Sequence, residues 1–199
     1  MSRVLLISGS RRQSSFNSRL LDHLESGLMW QSEVDRLMPH EVSLPIFDQD
    51  LECDAVVVKQ VATIHARIAQ SHALIIASPE YNGQPTPYLK NIVDWVTRLP
   101  HIDNQFDNVF LDRPVLLCSA STGWSGGALA IPHLRALFGY VGANVVGQTI
   151  CIPHADQHWT DGDYVFNEAV QLQIGAAMER VLKLAEARQS SLPIQMASV

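Results

Sequence analysis

Ile7-Ser8-Gly9-Ser10-Arg11-Arg12-Gln13-Ser14-Ser15-Phe16-Asn17 joins an apolar segment to an amphipathic one through hydroxyls, one glycine and two arginines. Before it, Arg3 to Ile7 has the composition of a short buried strand; after it, Leu20, Leu21, Leu24 and Leu28 recur at helical spacing. The turn between them therefore sits at a helix N-terminus, where unpaired backbone N–H groups and the positive end of the macrodipole favour an anion. Ser10, Ser15 and Asn17 add side-chain donors, and Arg12 or Arg11 offers a forked, permanently charged partner for phosphate oxygens. The same residue types cap helices that bind nothing, so on this stretch alone a phosphate cradle and a plain cap both stay open. Neither G-x-x-x-x-G-K-[ST] nor G-x-G-x-x-G occurs in the chain. That leaves a monophosphate in a hydroxyl-rich loop rather than a nucleoside triphosphate or a dinucleotide on a Rossmann fingerprint.

Outward from this loop the chain alternates strand-like and helix-like segments, the pattern of a parallel sheet covered on both faces. Val34 to Met38 is a weak strand, followed by an irregular stretch with Pro39, Pro45 and Asp48; Val57, Val61, Ile64 and Ile68 then mark a helical face. Ala73 to Ala77 is an apolar strand stopped by Ser78-Pro79, and Tyr88, Leu89, Ile92, Val93 and Val96 form the next helical stripe, beginning close to Pro87. Val115 to Cys118 is a fourth strand running into the loop Ser119 to Gly127; Leu134, Leu137 and Phe138 give a helix closed by Gly142, and Ala143 to Ile150 gives the last strand. A long amphipathic helix is expected from about Phe166 to Ala187, with residues 1–188 as one domain and 189–199 as a mobile tail. Five such strands in the order 2-1-3-4-5 would gather three unusual loops, Ser10 to Asn17, Pro79 to Gln84 and Ser119 to Gly127, at one crevice on the carboxyl edge.

Composition narrows the classes. Lys and Arg number 14 against 20 Asp and Glu, a formal charge of −6, with no basic stripe, which argues against a nucleic-acid partner. Cys53, Cys118 and Cys151 are far apart and odd in number, as in a reducing compartment. No secretory leader and no apolar run of membrane-spanning length is seen, so a soluble cytoplasmic protein with no membrane partner is expected. His154-Ala155-Asp156-Gln157-His158 lies between turn signals and reads as a solvated loop or the rim of an acceptor site, and no metal site is expected.

Three segments in order resemble the NAD(P)H-dependent FMN reductases, the flavodoxin-like family that includes quinone, azo-dye and chromate reductases. Gly9 to Asn17 is similar to that family's FMN phosphate loop. Ser78-Pro79-Glu80-Tyr81-Asn82-Gly83, followed by Leu89-Lys90-Asn91-Ile92-Val93-Asp94-Trp95, is similar to its flavin-ring loop and the helix behind it, and Ser119 to Gly123 with Gly126-Gly127 is similar to its third loop. The resemblance runs from Val4 to about Ile150. It implies a flavodoxin-like three-layer α/β sandwich with FMN as cofactor and NADPH or NADH as reductant. Ser10, Arg12, Ser15, Phe16 and Asn17 then fall at the phosphate end; Pro79, Glu80, Tyr81, Asn82 and Gly83 at the ring; Ser119 and Gly123 in the third loop. Pro85-Thr86-Pro87-Tyr88 departs from the family's Pro-Gly before Leu-Lys-Asn, and Trp124 is an added aromatic, suited to a flavin lid or a subunit contact.

On this reading the chemistry passes through flavin N5 to a small acceptor such as a quinone, flavin, azo dye or metal oxyanion, and no side chain need act as an essential acid or base. A carboxylate beside N1 would oppose reduction, so Glu80 is expected to face an arginine of another subunit. The resemblance implies a homodimer or homotetramer, and Ile92, Val93 and Trp95 cannot all lie on one side of a helix. The competing class is a flavodoxin-like electron carrier docking to protein partners; a flavin-free phosphate-binding scaffold is a third.

Overall fold

The first strand, β1 (Ser2–Ser8), sends Val4 and Leu6 to one side and Leu5 and Ile7 to the other, and all four are buried. Such a strand needs cover on both faces, which the helices supply. The computed structural model describes residues 1–191. It shows β1 followed by β2 (Ser32–Leu37), β3 (Ala73–Ala77), β4 (Pro114–Ala120) and β5 (Asn144–Ile152), all parallel, in the spatial order β2-β1-β3-β4-β5. This is the flavodoxin-like 2-1-3-4-5 order, with its switch point between β1 and β3.

Helices α1 (Phe16–Leu28) and α5 (Glu168–Ser191) cover one face, where Leu20, Leu24, Ala177 and Val181 meet Val4, Leu6, Ile75 and Cys118. Helices α2 (Ala55–Gln70), α3 (Pro87–Ile102) and α4 (Ile131–Tyr140) cover the other, where Ile64, Trp95 and Leu134 meet Leu5, Leu74, Ile76 and Leu117. At the edge, β5 breaks register opposite Val115–Leu117, and Arg135 Nη2 donates to the carbonyl of Gly147 at 2.6 Å. An irregular, capped edge of this kind discourages further strand pairing.

Several expectations change. Helix α5 runs on to Ser191, so 189–191 are helical, while 192–199, the rest of the expected tail, lie outside the described residues. Ile92, Val93 and Trp95 are all buried within the chain, which removes the reason they gave for a partner subunit. Helix α3 is covered on a second side by the β2–α2 connection: Phe47 meets Trp95 edge to face at 5.0 Å, and the Pro45 carbonyl accepts from both Trp95 Nε1 and Asn91 Nδ2 at 2.8 Å. Two short antiparallel hairpins, Glu80–Tyr81 with Gln84–Pro85 and Trp159–Thr160 with Asp163–Tyr164, stand where only loops were expected. Their turns are Asn82-Gly83 and Asp161-Gly162, with all four residues at positive φ, as two-residue hairpin turns require.

Arg67 staples α2 to β2. Its guanidinium reaches both Asp35 oxygens at 3.1 and 2.6 Å, the Arg36 carbonyl at 2.6 Å and Glu41 at 3.0 Å. The hydrogen bond from Arg67 is the main cause that holds the Asp35 carboxyl below the usual carboxylate range, against an opposing effect of burial. A carboxylate whose folded pKa is depressed stabilises the fold above its unfolded value of about 3.9 and loses that contribution as pH falls through the folded value. The urea midpoint should therefore fall as pH drops below about 5, and Asp35→Asn should show a lower midpoint at neutral pH with a shallower acid decline. Parallel curves for the two proteins would remove Asp35 from the acid dependence.

Candidate functional site

The cleft at the carboxyl edge is assembled from loop residues that the fold leaves no freedom to move apart. After β1 the chain turns at Gly9, where an added Cβ would lie 2.7 Å from Ser78 Oγ at the end of β3. Ser10 and Ser15 are buried: Ser10 Oγ accepts from Arg12 N at 3.3 Å, and Ser15 Oγ caps α1 by accepting from Asn17 N at 3.2 Å. Asn17, 2% exposed, donates through Nδ2 to the Ala120 carbonyl at 2.8 Å and accepts from Ala120 N at 3.0 Å, joining α1 to the end of β4. Its carboxamide is thus engaged with the backbone, although one Nδ2 hydrogen remains. Phe16 is fixed by its carbonyl, which accepts from Tyr164 Oη at 3.1 Å, and by its ring, which lies between Arg12 and Arg19 with guanidinium carbons 5.7 and 5.3 Å from the centroid.

The second wall is the hairpin after β3. Thr86 ties it to the first loop, donating to the Gly9 carbonyl at 2.6 Å while its Oγ1 caps α3 by accepting from Leu89 N. Glu80 Oε2 accepts from Leu129 N at 3.1 Å within the same chain. Gln84 Nε2 meets His133 Nε2 at 3.0 Å, so the hairpin is latched to α4 as well.

The third wall follows β4. Ser121 N donates to the Ile152 carbonyl at 3.1 Å, His154 N to Gly123 at 3.3 Å and Ala155 N to Ser121 at 3.0 Å. The His154–His158 segment thus buttresses the third loop through its backbone. It leads into the Trp159–Tyr164 hairpin, where Trp159 lies 4.4 Å from the Arg19 guanidinium. Gly127, at φ +84°, packs directly on Ser119, and a Cβ there would overlap the Ser119 side chain. Gly126, at φ +59°, approaches Pro153 N so closely that a Cβ would lie 2.5 Å from it.

Together these walls enclose a cleft of about 280 Å³ lined by Ser10, Arg12, Ser15, Phe16, Asn17, Pro79, Glu80 and Tyr81, with Ala120, Ser121 and Thr122. Four anticipated residues stand back from it. Asn82 and Gly83 form the hairpin tip, Gly123 lies beyond Thr122, and Ser119 is buried beneath Gly127. Trp124, 77% exposed, is not part of the lining either. Ala120, Ser121 and Thr122 were overlooked as lining residues, though they belong to the recognised third loop. Arg12 rather than Arg11 reaches the cleft.

Residues 2–157 match the family described as NADPH-dependent FMN reductase. The chain belongs to this family. It is 31% identical over 145 residues to the quinone reductase of Escherichia coli K12, covering 73% of each protein. With the NADPH:quinone oxidoreductase of Arabidopsis thaliana it shares 33% over 140 residues, 68% of this chain and 65% of the other. Among solved structures it superposes on the flavoenzyme NAD(P)H:(acceptor) oxidoreductase of Paracoccus denitrificans with a TM-score of 0.78 at 25% identity, covering 94% of this chain and 99% of that one. The protein is therefore an NAD(P)H-dependent FMN oxidoreductase, which decides between the reductase and the electron-carrier classes.

The cleft of this FMN reductase fits its cofactor. Among the described residues, no hydrogen bond engages the backbone N–H groups of Phe16 or Thr122, both in the lining, so donors are available at the first loop and along the third. Phe16, Pro79 and Tyr81 supply flat or apolar surface at the other end. The rigidity of the third loop is open to test. Gly127→Ala should lower stability by about 1–3 kcal/mol in urea unfolding, through overlap with Ser119 and a strained φ. Gly123→Ala, where an added Cβ meets only Ser121 Oγ at 3.4 Å, should stay within about 0.5 kcal/mol; equal effects would show that Gly127 is not a packing constraint.

Proposed function

We propose that the cleft between the Ser10–Asn17 loop, the Pro79–Tyr81 arm and Ala120–Thr122 holds FMN, and that the enzyme passes electrons from NADPH or NADH to a quinone. The observation that supports it most is the convergence of a hydroxyl-lined helix N-terminus, one guanidinium and an apolar hairpin wall on one cleft. The names of the relatives, quinone reductase and NADPH:quinone oxidoreductase, support the acceptor. Bound there, the flavin supplies reversible two-electron chemistry that no side chain provides.

The chain's own residues bind and orient. Arg12, the Ser10 and Ser15 hydroxyls and the free N–H group of Phe16 take the phosphate. Phe16, Pro79 and Tyr81 would supply surface for the ring, and the second Nδ2 hydrogen of Asn17 would be left for a ribityl oxygen. Glu80, the one carboxylate in the lining, is held by Leu129 N, so it steadies the hairpin and does not act as a proton donor; protons reach the open cleft from solvent. Asn82, Gly83, Ser119 and Gly123 shape the walls from behind.

The enzyme works in the cytoplasm as a homodimer or homotetramer. The free thiols Cys53, Cys118 and Cys151 support a reducing compartment. Among the described residues, no helix is long and apolar enough to cross a membrane.

Arg12→Ala should weaken FMN binding about tenfold to a hundredfold in a fluorescence titration, the loss of one charge-assisted contact. The wild-type protein mixed anaerobically with FMN and NADPH should bleach rapidly and recolour on adding a benzoquinone; an unchanged FMN affinity in the variant, or no recolouring, would overturn the assignment. Light scattering at micromolar concentration should give a multiple of the 22.1 kDa chain, and a particle of one chain mass would refute the oligomer.

A further inference from the structure

A second cleft, about 480 Å³, opens on the other side of the first loop. Arg11, Arg12, Arg36 and His40 line it, with Met38 and Pro39 as an apolar wall. Arg12 belongs to both clefts, so the second continues from the phosphate end of the first. Its charge runs against that of the whole chain, which is −6.

The cations divide into committed and available ones. Arg36 is committed: it donates to Asp22, to Glu25 at 3.2 Å and to the Ser18 carbonyl at 2.8 Å, and this consumes Asp22, the one carboxylate in the lining. Arg11, Arg12 and His40 have no carboxylate within ion-pair distance among the described residues. Arg11 is exposed, and its guanidinium carbon stands 5.9 Å from the centroid of half-buried Tyr88, which limits the directions it can take. With Arg12 given to the cofactor phosphate, Arg11 and His40 remain beside an apolar wall. A phosphomonoester next to a flat heterocycle satisfies both features.

We propose that this second cleft receives the adenosine 2′-phosphate end of NADPH, with Arg11 as the residue that sets a preference for NADPH over NADH. The inference rests on the placement of FMN in the first cleft. The two clefts share Arg12, so a reductant longer than FMN whose nicotinamide lies at the ring end can lay its far end along the first loop into the second cleft. The apolar wall of Met38 and Pro39 then faces the adenine, and Arg11 and His40 face the phosphate that NADH lacks.

The test is calorimetric titration of FMN-saturated protein with adenosine 2′,5′-bisphosphate, AMP and inorganic phosphate. The bisphosphate should bind about tenfold or more tightly than AMP, one charge-assisted contact being worth that ratio. Arg11→Ala should bring the two nucleotides within about threefold and lower the NADPH to NADH ratio of kcat/KM to match, with flavin absorbance per chain unchanged; His40→Ala should narrow the gap in part. Equal binding of the two nucleotides by the wild type, a gap that survives Arg11→Ala, or inorganic phosphate displacing the bisphosphate at equal concentration would overturn the proposal. Flavin absorbance separates the two readings: protein that never retains FMN refutes the first cleft's assignment, whereas FMN lost only on Arg11→Ala would show Arg11 serving the cofactor and refute this one.

Discussion

The Asn17 carboxamide exchanges two hydrogen bonds with the backbone of Ala120, and the site depends on that pair. Asn17 lies in the first turn of α1 and Ala120 closes β4, so two loops far apart in sequence are held at one separation by a side chain that is 2% exposed. Both backbone groups at Ala120 would be buried without a partner if the carboxamide were lost, at a cost of about 1–3 kcal/mol each. The same residue lies in the first turn of α1, two positions after the Ser15 cap, so fixing Asn17 also fixes the helix N-terminus.

Thr86 performs the corresponding task on the other side. Its hydroxyl donates to Gly9 and accepts from Leu89 N, so the first loop and the start of α3 share one oxygen. Helix α3 is in turn immobilised from behind, where the single carbonyl of Pro45 collects donors from Asn91 and Trp95 while Asn91 Oδ1 accepts from Phe47 N at 2.7 Å. Glu80, Gln84 and the backbone of His154 and Ala155 then lash the hairpin and the third loop to their neighbours. The cleft is thus built from loops, yet each loop is bonded to an element that cannot move independently.

Sequence pattern reveals the sheet well because strands buried on both faces are runs of apolar residues, whereas the strand order rests on the family resemblance, since alternation with helices suits more than one doubly wound order. The phosphate end was legible for a related reason: Ser10, Arg12, Ser15 and Asn17 are chemically distinctive and contiguous. What escaped reading depends on contacts distant in sequence. Nothing local reveals that Asn91 serves Pro45, that Trp95 is covered by Phe47, or that Glu80 is used by Leu129. The burial of Ser119 under Gly127 is likewise a tertiary fact, which a shared motif carries without explaining. The two hairpins are a different case, because Tyr81-Asn82-Gly83-Gln84 and Thr160-Asp161-Gly162-Asp163 carry the turn dipeptides that favour positive φ, a local signal outweighed by the absence of flanking strand-length runs.

The polarity of the cleft follows from these contacts and favours one orientation for the proposed cofactor. A permanent cation, two hydroxyls and an unpaired N–H group occupy the end at the first loop, while the other end has Tyr81 and Pro79 together with a carboxylate already engaged by a backbone donor. On the proposed placement of the flavin, an unengaged Glu80 would put a free negative charge near the ring, opposing its reduction. Its capture by Leu129 N therefore performs two tasks with one bond: it fastens the hairpin to the third loop, and it weakens the one carboxylate field in the lining. A molecule with an anionic tail and a neutral planar head matches this polarity, and on the proposed reading its head lies toward Tyr81. On that reading Arg12 and the helix N-terminus act together on the tail, so the electrostatics of the first loop would orient the ligand before any contact to the ring is made.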